Sequence, residues 1–384
     1  MESNKKLKIL FIQRINLGGG IISAHYICNE LAKLGHEVLC LGIRANNAKN
    51  IIFPLSNHIY KTLFLNSFLT NYIFVLNVFL NKYLKKNKID VIISTGPEGA
   101  FLKKICKKNN ILHIASYHHP NPTYIGKEIF LPKISYLLRP GRWLHYLDVY
   151  LERKSLLEAD IVHCLCNWHK RITFEKLKIP LEKIFVVYLG VDSEKFNIFT
   201  RERNKLYNIL HCGGLTPSKG IGTTLKALAI VLKKNKNVFL NIIGEADKNP
   251  YENLIKDLNL KDYIKIFGQI SYDKMPGIYK MTDCVVFPTN HESFGLAIVE
   301  AMASGLPVIA SNNTAVPEII ENQKSGILIP LGSPEALACE IINLVSNPTK
   351  SLEMGMDARK RIEDNFTWQK TAIGLEELIL NNIK

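Results

Sequence analysis

The chain has 384 residues, 47% hydrophobic and 22% charged, a globular composition that excludes a disordered chain and is longer than one hydrophobic core usually fills. Two domains of about 150 to 200 residues are expected. The formal charge of +15 favours anionic partners such as nucleotide diphosphates, acidic lipid headgroups or nucleic acid, or simple solubility, without choosing among them.

In chain order, Lys5 to Lys8 lead into only a short apolar run, with no cleavage site after it, so a cytoplasmic protein is expected. Short apolar runs then alternate with stretches of helical period, the pattern of βαβ units. The first half predicts strands over residues 8–12, 37–41, 90–94, 111–116, 161–165 and 184–187, and helices over 21–34 and 98–108. Gly18, Gly19 and Gly20 follow the first strand and open a helix, so their backbone can approach a phosphate or sugar. The turn lacks the full spacing of a dinucleotide fingerprint, and no P-loop lysine follows. Residues 59–83 are apolar but interrupted by asparagines, a poor spanning segment. They read either as a buried helix or as an aromatic-rich surface helix resting on a membrane. His118 and His119 follow the strand at 111–116, at the carboxyl end where cleft residues belong. Residues 120–150, with Pro122, Pro132 and Pro140, read as an irregular insertion, and 188–203 as a linker.

The second half predicts strands over 207–212, 238–243, 264–267, 284–287, 307–310 and 326–329. Lys219 falls between the first of these and a helical pattern at 221–232, a position suited to reading phosphate; otherwise it is an exposed first-turn lysine. Gly295 sits where a helix begins after the strand ending at Phe287, and free N–H groups at such an end bind anions. Beside that end Glu292 would repel phosphate, so it suits sugar hydroxyls, or else it caps the helix. Glu300, farther along, could hold ribose hydroxyls or a neighbouring backbone group. The eight cysteines include no C-x-x-C pair and lie mostly in apolar segments, as reduced core thiols do.

Two glutamates eight positions apart in Glu292-Ser293-Phe294-Gly295-Leu296-Ala297-Ile298-Val299-Glu300, followed by Ala301 to Ala310, resemble the signature of glycosyltransferase family 4. Gly213-Gly214-Leu215 with Lys219-Gly220, Ile243-Gly244-Glu245 and Pro317-Glu318 follow the same family's order. The first half is similar more weakly, through the glycine turn and His118. The resemblance implies an α/β protein of GT-B type, two Rossmann-like domains facing each other across a deep cleft. With the linker read at 188–203, the pattern of elements divides the chain into an acceptor-side domain over 1–190 and a donor domain over 191–365, and periodicity alone suggests that a terminal helix over 366–384 packs back toward the first. The resemblance also implies transfer of a sugar, with retention, from a nucleotide diphosphate sugar to a glycan, lipid-linked or small-molecule acceptor. Lys219 would contact the diphosphate, Glu292 the sugar, the Ser293, Phe294, Gly295 and Leu296 backbone the phosphate and hydroxyls, and Glu300 the ribose. His118, or in the reverse assignment His119, would orient the donor sugar, and Gly19 and Gly20 would lie across the cleft.

One departure is Gly214, where the family usually has arginine; Arg14, Arg171 or another lysine would have to compensate. No D-x-D pair or metal-ligand spacing occurs, so no metal and no cofactor is expected. No nucleic-acid motif emerges; peripheral contact with the inner face of a membrane is the expectation for a lipid-linked acceptor. The rival readings are a nucleotide-sugar epimerase on the same fold and a non-catalytic nucleotide-sugar binding protein.

Overall fold

The computed structural model describes residues 6–14, 19–45, 60–67, 72–118, 142–198, 206–245 and 249–383. The chain divides into two compact units, Met1–Leu189 with Trp368–Lys384, and Gly190–Thr367.

The first unit holds β1 (Lys8–Arg14), β2 (Glu37–Ala45), β3 (Lys61–Ser67), β4 (Val91–Thr95), β5 (Leu112–Tyr117), β6 (Ile161–Cys164) and β7 (Ile184–Val186). They form one parallel sheet in the order β3-β2-β1-β4-β5-β6-β7. The second unit holds β8 (Tyr207–Cys212), β9 (Val238–Ile243), β10 (Ile264–Gly268), β11 (Cys284–Phe287), β12 (Val308–Ser311) and β13 (Ile327–Ile329), again parallel, in the order β10-β9-β8-β11-β12-β13. Both sheets are Rossmann-like. Strand order reverses beside the first strand of each, between β1 and β4 and between β8 and β11, and ligands of such sheets bind outside the carboxyl ends at that point.

Continuous apolar strands are what a sheet covered on both faces demands. Ile9, Leu10, Phe11 and Ile12 of β1 are fully buried, as are Cys284, Val285 and Val286 of β11. Helices supply the covers. In the helix Ile221–Lys234, the stripe Ile221, Leu225, Leu228, Val231 and Leu232 packs into the second core, and each such side chain contributes about 1.5–3 kcal/mol of burial. Of the eight cysteines, all free, seven are buried and Cys339 is exposed.

Three expectations are corrected. Residues 59–83 are not one helix: Lys61–Ser67 is β3, paired in parallel with β2 from Leu39 opposite Lys61 to Ala45 opposite Ser67, and among the described residues of this segment only Tyr72–Tyr83 is helical. In that helix Leu76 and Leu80 are fully buried against Leu10, Leu41 and Ile92, so this face belongs to the core. No helix among the described residues is long and apolar enough to cross a membrane. The helix expected at 98–108 is broken at Phe101, whose φ of 71° is left-handed; a 3₁₀ turn, Gly96–Gly99, precedes it and Leu102–Asn109 follows. The insertion read at 120–150 ends in a regular helix, Arg142–Glu158, and residues 119–141, with His119 and the three prolines, lie outside the described residues.

The terminal helix, Trp368–Leu380, belongs to the first unit. Trp368 stacks on Tyr26 of the helix Gly19–Lys33, with ring centroids 5.2 Å apart and planes within 3°. His36 accepts from the Leu7 N–H through Nδ1 (3.3 Å), which leaves Nε2 to donate to Glu376 (3.0 Å).

Candidate active site

The second unit builds its site where β8 and β11 end. After β8, Gly213 and Gly214 turn with φ of 129° and 64°, and both N–H groups donate to the Ile243 carbonyl, at 2.9 and 2.7 Å. Leu215 N–H donates to the Glu245 carbonyl (2.9 Å). A Cβ on Gly214 would stand 2.2 Å from that same carbonyl oxygen, so the backbone of this turn is interlocked with Gly244-Glu245. Arginine has no room at 214 in this conformation. Of the residues expected to compensate, Arg14 ends β1 and Arg171 lies in the helix Asn167–Glu175, both in the first unit.

Lys219 ends the 3₁₀ turn Pro217–Lys219, and Gly220 follows with φ of 74°. A Cβ there would collide with the Pro288 carbonyl, so glycine is what lets the turn after β8 lie against the end of β11. Two further bonds join them: Asn290 N–H donates to Ser218 O (2.9 Å), and Thr289 Oγ1 lies 3.3 Å from it. Glu292 N–H donates to Thr314 Oγ1 (3.1 Å). The result is Lys219 Nζ 2.5 Å from Glu292 Oε1, the lysine side chain 35% and the carboxylate 14% exposed.

Gly295, φ 101°, starts the helix Leu296–Ala303, whose first N–H groups have no intrahelical acceptor. Phe294 is buried edge-on against Phe366, so its ring is turned into the fold. One turn into the helix Glu300 is 7% exposed, and Tyr279 donates its hydroxyl to Oε2 (3.2 Å). The Ala297 carbonyl stands 3.3 Å from the same hydroxyl. Burial pushes the Glu300 carboxyl up to about 8, against the opposing pull of the Tyr279 hydrogen bond and Lys195. Among the described residues no group of three or more His, Cys, Asp or Glu side chains is arranged to hold a metal ion.

In the first unit, Gly19 and Gly20 open the helix after β1, while Gly18 lies outside the described residues. Ser23 donates to the Gly20 carbonyl (3.0 Å), and its oxygen is 3.4 Å from His118 Nδ1. His118, just beyond β5, is 8% exposed and its Nε2 lies 2.9 Å from Ser116 Oγ. Each unit thus gathers its own members: Gly214, Lys219, Glu292, Ser293 to Leu296 and Glu300 in one, Gly20 and His118 in the other. Tyr279, Thr289, Ser116 and His163 were not legible as site residues. Nothing in Met275-Pro276-Gly277-Ile278-Tyr279-Lys280 marks the Tyr279 hydroxyl, and the bonds Thr289–Ser218 and Ser116–His163 join residues 71 and 47 positions apart.

A stability prediction follows from Glu300. Its carboxyl moves from the ordinary 4.5 to about 8 in the fold, so the folded chain holds a proton that the unfolded chain releases. The contribution is fully present below about pH 4.5 and is lost as pH rises through about 8. Glu300→Gln keeps a polar group for Tyr279 and does not titrate. Its melting temperature relative to wild type is expected to rise by several degrees between about pH 5 and about pH 9. A difference that stays constant in calorimetric scans would show that the carboxyl is ionised throughout.

Two family models match this chain. Glycosyltransferase Family 4 covers residues 17–195, and Glycosyl transferases group 1 covers residues 192–361. The chain belongs to the family 4, group 1 glycosyltransferases. An amylovoran biosynthesis glycosyltransferase of Erwinia amylovora is 31% identical over 195 residues, 49% of this chain and 48% of that one; this chain thus spans about half the length of that relative. An uncharacterized glycosyltransferase of Methanocaldococcus jannaschii is 24% identical over 94% of both chains. The structure of HepE from Anabaena in complex with UDP superposes with a TM-score of 0.77 at 17% identity, covering 98% of this chain and all of that one. The fold is the GT-B type.

Proposed function

We propose that this chain is a retaining, metal-independent glycosyltransferase, moving a sugar from a nucleoside diphosphate sugar to a glycan or lipid-linked acceptor in cell-surface polysaccharide or glycolipid synthesis. The observation that carries the reading is Lys219 against Glu292 at the switch point of the second sheet, beside the start of the helix at Gly295. An anion and a polyol are the two things this arrangement suits. Lys219 and the first N–H groups of the helix take the charge that grows on the departing diphosphate, the task a divalent cation performs elsewhere. Glu292 accepts from sugar hydroxyls, and Glu300 with Tyr279 holds the ribose.

The acceptor attacks from the face the diphosphate leaves, through an oxocarbenium-like state, and the leaving phosphate takes the acceptor's proton. His118, in the first unit, orients the donor sugar. The reading draws support from the UDP bound by the Anabaena neighbour and from the amylovoran biosynthesis in the Erwinia relative's name. It places the enzyme in the cytoplasm, meeting its acceptor at the membrane when that acceptor is a lipid.

The test is turnover of a panel of nucleoside diphosphate sugars with EDTA present, with the anomeric proton of the product read by NMR. Release of nucleoside diphosphate and a product of the donor's own anomeric configuration are expected. An inverted anomer, or activity that returns only with a divalent ion, would overturn those parts. Free epimerised sugar without acceptor would replace transfer by epimerisation.

A further inference from the structure

Behind His118 a line of hydrogen bonds runs through the interior of the first unit. His163 of β6 is fully buried, its Nε2 2.8 Å from the Val187 carbonyl and its Nδ1 2.7 Å from Ser116 Oγ. Ser116 Oγ is in turn 2.9 Å from His118 Nε2, and His118 Nδ1 is 3.4 Å from Ser23 Oγ. The neighbouring strands set this spacing, since Ser116 and His163 are register partners in the β5–β6 ladder.

The proton positions follow from one end. A carbonyl only accepts, so His163 Nε2 carries its hydrogen. Burial pushes the His163 imidazole down to about 4, so at neutral pH its Nδ1 is a lone pair and Ser116 must donate to it. Having given its only proton there, the Ser116 oxygen accepts from His118 Nε2–H. Neutral His118 is therefore the Nε2–H tautomer, and Nδ1, toward Ser23 and the Gly20 turn, is its basic atom.

We infer that Ser116 and His163 are positioning residues that fix the tautomer and ring orientation of His118 and turn its Nδ1 toward the glycine turn. The same partners serve His118 in both charge states. When Nδ1 takes a proton, both ring N–H groups donate, one to Ser116 and one to Ser23. Ser23 then directs its own hydrogen to the Gly20 carbonyl, the bond it makes in this structure. The buried end of the relay does not change, so charge at His118 is felt at the glycine turn and not in the core. The use of this device in sugar transfer rests on the proposed function; the tautomer does not.

The experiment is ¹⁵N–¹H correlation NMR of the full chain labelled at histidine nitrogens, with His118 assigned from the signals lost in His118→Gln. The Nε2–H tautomer is expected for neutral His118 in wild type. Ser116→Ala, which removes donor and acceptor together, is expected to give a tautomer mixture. It should also lower kcat for donor turnover about tenfold with KM nearly unchanged, and Ser116→Thr should restore both readouts. An Nδ1–H tautomer in wild type, or populations unmoved in Ser116→Ala, overturns the inference. The wild-type tautomer is decisive even where a variant does not fold. The expected tautomers with no turnover of any donor would sink the proposed function while upholding the relay.

Discussion

Glu292→Gln is expected to bind a bare nucleoside diphosphate more tightly than wild type and the corresponding nucleotide sugar less tightly. The ammonium of Lys219 is held 2.5 Å from the Glu292 carboxylate, so a diphosphate arriving alone competes with that carboxylate for the same cation. The pair is partly exposed, and such a pair is worth about 1 kcal/mol or less. Freeing the lysine should therefore tighten diphosphate binding by up to about fivefold. A sugar reverses the balance, because its hydroxyls need an acceptor that an amide supplies only in part; a loss of about tenfold or more is expected. Lys219→Ala should weaken both ligands and cost about 10²–10³ in kcat, the scale for removing one group that stabilises charge at a transition state. Titration calorimetry with each ligand in the two variants separates the effects. If Glu292→Gln weakens both ligands alike, the carboxylate does not compete for Lys219, and the role given it here is wrong.

This antagonism was legible only in part from the sequence. Glu292, Glu300, Lys219 and Gly295 stood out because they lie in short contiguous patterns, Glu292 to Glu300 and Gly213 to Gly220, that resemble the family's, whereas each residue taken alone has an ordinary structural use. That Lys219 would meet Glu292 was not legible, since it depends on Gly220 letting one turn lie against Pro288 and on bonds between residues about 70 positions apart. The relay behind His118 is similar, with Ser116 and His163 separated by 47 positions and joined only by strand register. The fold was easier to read, because buried parallel strands are short unbroken apolar runs. β3 was missed because Leu63, Phe64 and Leu65 continue into an apolar helix, and an apolar run has no period with which to tell strand from helix. The helix Arg142–Glu158 was hidden by the prolines before it, which stop well short of its last turns.

Gly214→Arg, the substitution that would bring the chain closer to its family, is expected to damage the site rather than complete it. At φ of 64° a side chain costs about 1–2 kcal/mol before any contact is considered. Its Cβ would then press on the Glu245 carbonyl and amide, opening the bonds from Gly214 and Leu215 to β9 and the turn after it. A total of about 3 kcal/mol should lower the melting temperature by about 6–12 °C, and diphosphate affinity should fall by at least tenfold as the Gly213 turn pulls away from the Lys219 stem packed on it. Gly214→Ala should show most of the stability loss, since the Cβ alone collides. Gly244 faces the same contact from the other side, its Cβ 2.4 Å from the Gly214 amide. Gly244→Ala should therefore match Gly214→Ala, and the double variant should lose less than the sum, because the first substitution already opens the interlock. Additive losses would mean that the two glycines are needed separately. A gain in affinity by Gly214→Arg would mean that the turn re-forms around the new cation, and that the missing charge, not the interlocked backbone, limits this donor site.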